Sequence, residues 1–294
     1  MSSDPFPPNR VFSPAREEAE TAANATSSPQ TEDPAYRLAF QDMDFLLRED
    51  LRPVRFQLEL LKPELLLDEA KIKSTFVFYG SARIPEPEAA QALIATATTD
   101  HHRLIAERLQ AKSHYYEVAR ELAGMASRVA PDTDGWRNFV VCSGGGPSIM
   151  EAANRGAIEA GAETIGLNIV LPHEQLPNPY LTPHLSFQFH YFALRKMHFL
   201  LRARAVAVFP GGFGTFDEAF ELLTLIQTGK VKPIPILFFG REFWERVVNF
   251  EALVEEGVIS AADLDLFTFC ETADEAWAHV RRHYSDHQPA LPDV

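Results

Sequence analysis

Nine consecutive residues, Pro210-Gly211-Gly212-Phe213-Gly214-Thr215-Phe216-Asp217-Glu218, combine the makings of an anion cradle with an acid beside it. A short apolar run, 205–209, leads in, and a helical pattern follows. Such a strand–glycine–helix junction leaves backbone N–H groups unpaired at the positive end of a helix dipole, which suits a phosphate. Thr215 is expected to open the helix and Glu218 to fall in its first turn. Thr215-x-x-Glu218 also has the form of a capping box, in which both side chains merely serve the helix end. Ser148-x-x-Glu151 repeats that form behind a second glycine loop, Gly144-Gly145-Gly146. Two acids placed alike beside two glycine loops of one sheet argue for a shared cleft. Ser81, in a third such loop, has no base beside it in sequence and reads as a phosphate hydrogen-bond donor. Arg195 shares a helical face with Tyr191, Phe199 and Arg202. Its guanidinium is either a solvated surface charge or a fork of donors for a phosphate or ribose. The neighbouring Lys196 reads as surface.

Other chemistries fit poorly. A dinucleotide fingerprint needs a third glycine where the two loops carry Asp217 and Ile149, and no P-loop lysine is present. His101, His102 and His114 have no metal-ligand spacing, so no metal is expected. His190 and His198 flank the Arg195 helix and are candidates to face a ligand. The formal charge of −14 opposes nucleic-acid binding. Cys142 and Cys270 are expected as buried free thiols of a reducing compartment. The first 30 residues lack signal-peptide order, and no apolar stretch reaches the roughly 20 residues of a membrane span. A cytoplasmic protein acting on a small anion, with no membrane and no cofactor, is the expectation.

The 294 residues suffice for one large α/β domain. Residues 1–34 are rich in Pro, Ser, Thr and Glu and are expected to be a disordered tail. Residues 35–72 form a helical arm, broken into short helices by Pro53 and Pro63. Residues 73–288 alternate strand and helix. Strands are expected at 75–79, 139–142, 164–170, 205–209 and 236–239, with 185–190 ambiguous. Residues 86–130 read as helical with an excursion at Asp100-His101-His102. Gly161 sits where a helix C-cap is expected, and 191–204 read as one helix. Short strands apolar on both faces imply a doubly wound parallel sheet with helices on both sides, binding ligands at the carboxyl ends of its strands.

The motif at 210–218 resembles the PGGxGTxxE motif of the Lonely Guy (LOG) family of cytokinin riboside 5′-monophosphate phosphoribohydrolases, long labelled lysine decarboxylases. The resemblance runs from about Thr75 to about Trp244. It includes Tyr79-Gly80-Ser81-Ala82-Arg83, the stretch from Gly144 to Asn154, Leu171-Pro172-His173-Glu174-Gln175 and Arg195-Lys196. It implies a Rossmann-like fold, a homodimer or higher assembly, and cleavage of the N-glycosidic bond of AMP or a cytokinin riboside monophosphate, an AMP-nucleosidase type of reaction. By the same resemblance Arg195 and Glu218 match the catalytic pair. Gly211, Gly212, Gly214 and Thr215 match the phosphate loop. Gly144, Gly145, Gly146, Met150, Glu151 and Lys196 join the substrate site. The Met-His-Phe after Lys196, the first glycine loop and the extra arm differ from plant members and resemble a longer bacterial branch. No motif for a Schiff-base lysine supports decarboxylation. The alternative is a non-catalytic module of the same fold that binds a nucleotide or phosphorylated cofactor.

Overall fold

A computed structural model describes residues 12–172 and 176–287, which divide into two compact units, one ending at Leu58 and the other beginning at Glu59. The first unit carries the short helices α1 (Ala15–Ala23), α2 (Pro29–Glu32) and α3 (Met43–Leu46), none with a buried residue. In it the Arg55 guanidinium donates to the carbonyls of Leu46 (2.9 Å) and Arg48 (2.5 Å), satisfying acceptors that the one-turn helices leave open. Helix α4 (Arg52–Glu69) begins in this unit and runs into the second.

Pro63 was expected to break that helix and does not. A proline in mid-helix removes the N–H that would bond the carbonyl four residues back, here Glu59. The Nε2 of His198 supplies that bond from another helix, at 3.1 Å from the Glu59 oxygen. Because a carbonyl only accepts, Nε2 carries the hydrogen. Burial lowers the His198 pKa, which keeps the ring neutral near pH 7. His198 is therefore buried structure and not the ligand-facing group its sequence position suggested.

The second unit is built on a seven-stranded sheet in the order β4-β3-β2-β1-β5-β6-β7, with every neighbouring pair parallel. The strands are β1 (Thr75–Tyr79), β2 (Val140–Ser143), β3 (Ile165–Ile169), β4 (Ser186–Phe189), β5 (Ala203–Val208), β6 (Ile236–Phe239) and β7 (Thr268–Cys270). The ambiguous segment 185–190 resolves as an edge strand. The final strand β7 went unforeseen because its three residues are too few to carry a period. Helices α5 (Pro87–Ala95), α6 (Asp100–Gln110) and α7 (His114–Ser127) occupy 86–130. Asp100-His101-His102 is the first turn of α6, capped by the Thr99 hydroxyl accepting from His102 N–H, and not an excursion.

Alternation within the strands splits the core into two layers. Phe76, Phe78, Val141 and Phe239 face α7, α8 (Ile149–Glu159) and α13 (Ala273–His287). Val77, Tyr79, Val208 and Phe238 face the other way, with Phe199 of α9 (Phe192–Leu201) and Leu222 of α10 (Phe213–Gln227). Trp244 of α11 (Arg241–Val247) and Phe250 of α12 (Phe250–Glu255) complete that side. Both faces are covered, which explains why the strands read as unbroken apolar runs. The fold is thus an α/β Rossmann-like, doubly wound parallel sheet with a helical N-terminal region. The chain winds from β1 outward to β4, then returns to β5 on the opposite side of β1. The connections that follow β1 and β5 therefore run to opposite sides of the sheet, the switch point at which such sheets form a crevice. Gly161 takes φ +79° just beyond α8, as a helix stop requires. Cys142 and Cys270 are buried and free, and burial pushes both thiol pKa values up. Among the described residues no helix is long and apolar enough to cross a membrane, and no cluster of metal-binding side chains occurs.

Candidate functional site

A cleft of about 1210 Å³ lies over the carboxyl ends of the strands. The loops after β1, β2 and β5 contribute Ser81, Gly144, Gly145, Gly146 and Gly212 to its wall, and the carboxyl end of β3 contributes Asn168. Gly214, Thr215 and Glu218 of α10, Arg195 of α9 and Met150 of α8 join them. Gly211, Glu151 and Lys196 are not part of the lining.

Helix α10 starts earlier than expected, at Phe213, with Gly212 as its N-cap and no side chain capping it. Glu218 is therefore in the second turn, and Thr215-x-x-Glu218 forms no capping box. The leading amides of α10 stay free for a ligand, because the first intrahelical bond is the Phe216 N–H to the Gly212 carbonyl at 3.0 Å. The glycines of this loop serve two purposes. A Cβ on Gly211 would come within 2.1 Å of the Thr215 Oγ1, so Gly211 is required by the protein's own packing. A Cβ on Gly212 or Gly214 would meet nothing within 4 Å. Those two face open cleft. Gly214→Ala is accordingly expected to leave thermal stability unchanged or raised by about 0.5–1 kcal/mol, since alanine is the better helix former. It should nevertheless weaken anion binding measurably in a calorimetric titration with ribose 5-phosphate. Gly211→Ala should instead lower stability.

Glu218 and Arg195 face each other across the cleft floor, with 3.5 Å between Oε1 and Nη1. That separation is attractive but too long for a tight hydrogen bond. Both side chains are nearly buried, at 13% and 11% exposure. Burial raises the Glu218 carboxyl to about 7; Arg195 pulls it down and Asp217 pushes it up. Tyr79 beneath them is held neutral by its own burial and the nearby Glu218 charge.

Arg195 is fixed by several contacts. Its Nε donates to the Leu167 carbonyl at 2.7 Å and its guanidinium lies 5.1 Å from the Phe199 ring centre. Gly144 makes room for it, since a Cβ there would come within 2.6 Å of Nη2. The helix that carries it is gripped by α4. The Glu59 carboxylate accepts from the N–H groups of His190 (2.8 Å) and Tyr191 (3.2 Å) at the start of α9. At the far end Arg202 pairs with Glu64 (3.0 Å) and Asp68 (2.8 Å). Sequence reading missed Glu59, because nothing local marks a helix-surface carboxylate as the cap of a distant helix. His190 contributes only its backbone here.

The second glycine loop is held by a buried polar network. The Asn154 Oδ1 accepts from the Ser143 hydroxyl (2.7 Å) and from Asn178 Nδ2 (2.9 Å). Asn178 Nδ2 also donates to the Gly146 carbonyl (3.0 Å), and Gly145 N–H to the Ser143 hydroxyl (3.0 Å). Gly145 takes φ +73° and lies against Asn168. Asn154→Leu would strand several buried polar groups at once and is expected to cost about 2–4 kcal/mol of unfolding free energy, measurable by urea denaturation.

The expected capping box at Ser148 does not form either. Ser148 stands at the N-cap of α8 with φ +68°, and its hydroxyl donates to the Ile84 carbonyl. Glu151 turns to α7 and accepts from the Tyr116 hydroxyl at 3.0 Å, so it is no second acid of the cleft. Lys196 lies between Asp217 (3.1 Å) and Glu221 (3.3 Å). Burial opposes its charge but these acids outweigh it and raise its pKa. Of the quoted segment 171–175, residues 173–175 lie outside the described residues. Arg83, Asn168 and Gln188 line the cleft without having been assigned to it. Asn168 had a readable signal, being a polar residue at the carboxyl end of an apolar strand.

A family model described as "Possible lysine decarboxylase" matches residues 150–280. The chain is 27% identical over 139 residues to the Probable cytokinin riboside 5′-monophosphate phosphoribohydrolase LOG4 of Oryza sativa subsp. japonica, a match covering 46% of this chain and 59% of that protein. It is 24% identical over 180 residues to the Cytokinin riboside 5′-monophosphate phosphoribohydrolase LOG3 of Arabidopsis thaliana, covering 60% of this chain and 79% of the relative. Among solved structures, the Moco carrier protein from Chlamydomonas reinhardtii superposes with a TM-score of 0.42 at 18% identity, over 73% of this chain and 99% of that one. The motif at 210–218, in place on a parallel sheet, and these sequence matches together support membership of the LOG family.

Proposed function

We propose that the protein hydrolyses the N-glycosidic bond of a nucleoside 5′-monophosphate, AMP or a cytokinin riboside monophosphate, to free base and ribose 5-phosphate. The observation that carries this reading is the Glu218–Arg195 pair, nearly buried on the floor of a cleft whose rim is an uncapped helix N-terminus. The amides of Gly212–Thr215 take the 5′-phosphate. Binding energy won at that remote group then serves the reacting bond. As the bond from C1′ to the base nitrogen breaks, the ribose gains positive oxocarbenium character. The Glu218 carboxylate stabilises that charge through the ribose hydroxyls, or takes the proton from the water that attacks C1′. The water supplies the hydroxyl at C1′ and the departing base gains a proton. Arg195 orients the ribose and keeps Glu218 ionised. The relatives' names support the phosphoribohydrolase activity.

Both tasks assigned to Glu218 require its charged form. Activity should therefore rise with pH through about 7 and level off above it. The test is a panel of nucleoside monophosphates, including AMP and its N6-isopentenyl derivative, followed by chromatography of free base. Release of base from at least one of them is expected. Calorimetric binding of every nucleotide with no base released would favour the non-catalytic module. The enzyme is further proposed to act as a homodimer or larger homo-oligomer in the cytoplasm, with the segments 1–34, 35–72 and 73–288 as tail, arm and catalytic domain.

A further inference from the structure

We propose that Arg83 is the side chain that makes this site demand a phosphate, by pairing with the 5′-phosphate held at the start of α10; the inference rests on the nucleotide reading above. Arg83 lines the same cleft as Gly212, Gly214 and Thr215. Its loop is fastened on several sides. The Ser81 N–H donates to the Pro210 carbonyl at 3.1 Å, which ties the loop after β1 to the start of the glycine loop after β5. Gly80 sits against Ile149, so closely that a Cβ would lie 2.6 Å from Cγ2. The Ser148 hydroxyl holds the Ile84 carbonyl. Within the loop, the Ser81 Oγ accepts from the Arg83 N–H at 3.0 Å. The Ser148 backbone is strained, with φ +68° and ψ −127°. Strain of that kind persists where surrounding structure demands it, and it concentrates at ligand clamps.

Charge gives Arg83 its task. Among the described residues, the charged side chains of the lining are Arg83, Arg195 and Glu218. Arg195 is already engaged by Glu218 and the Leu167 carbonyl. A phosphate monoester carries roughly −1.5 to −2 near neutral pH, whereas a helix N-terminus offers only about +0.5. The chain as a whole, at −14, repels an anion. Arg83 is exposed, and among the described residues no acid pairs with it. Among the described lining residues it is the cation left to complete the balance, and its planar fork suits phosphate oxygens.

The test compares wild type, Arg83→Gln and Arg83→Lys on AMP, with inorganic phosphate and ribose 5-phosphate as competitive inhibitors. Removing one charge-assisted contact to the phosphate should lower kcat/KM for AMP about 10- to 100-fold, chiefly through a raised KM. Both inhibitors should weaken by a similar factor, and lysine should recover part of the loss. Wild-type turnover with an unchanged KM and unchanged inhibition in Arg83→Gln would overturn the assignment while leaving the nucleotide reading intact. A fall in kcat alone would also overturn it. A wild-type enzyme inert towards every nucleotide would instead remove the reading on which the inference stands.

Discussion

Glu218→Gln is expected to lose turnover by at least about 10³-fold while becoming more stable above neutral pH. The same physical fact underlies both effects. Burial lifts the carboxyl from 4.5 to about 7, so the folded protein holds that proton over a range where the unfolded chain has released it. Relative to the unfolded chain, the stability this provides is complete below about pH 4.5. It is lost as pH climbs through about 7. At pH 8 the charged wild-type side chain then costs up to about 3 kcal/mol. Glutamine keeps the shape without the charge. Thermal melts should separate the variant from wild type at pH 8 and bring the two together near pH 4.5. A variant equally stable at both pH values would show that Glu218 is not a strained, desolvated acid. A variant that still releases base at the wild-type rate would show that it is not the reacting group.

Arg195→Met should be the second most damaging change, for an indirect reason as well as a direct one. The guanidinium lowers the Glu218 pKa against the effect of burial. Without it, Glu218 should hold its proton well above pH 7, so the limb on which activity rises with pH should move upward. At pH 7 the variant should lose about 10²–10³-fold in kcat/KM, with part of that loss recovered at pH 9 as the carboxyl ionises. A uniform loss at every pH would mean that Arg195 acts on the substrate alone. Removal of one member of a largely buried pair should also lower stability, and a denaturation curve at pH 7 measures it.

Much of the layout of the cleft was legible in the sequence. The strand at 205–209, its glycine turn and Glu218 carry their own signals, because glycine, β-branched residues and helical period each leave a local mark. What could not be read were interactions between distant elements. Pro63 looked like a helix breaker because its missing bond is supplied by His198 from another helix. Glu151 looked like a second acid of the cleft, yet Tyr116 on α7 claims it. The capping-box pattern at 148–151 failed because Ser148 is needed to pin Ile84. The roles of Glu59 and Asn154 could not be read, since their work is to hold elements that sequence spacing does not bring together.

The central claim is that a phosphate held at the start of α10 places a ribose so that Glu218 reaches the bond to the base. Quantifying both products when purified protein consumes AMP or its N6-isopentenyl derivative tests it most directly. The account predicts equimolar free base and ribose 5-phosphate, with no inorganic phosphate released and with turnover abolished in Glu218→Gln. Nucleotide that binds and is recovered intact, or that yields nucleoside and inorganic phosphate, would contradict it.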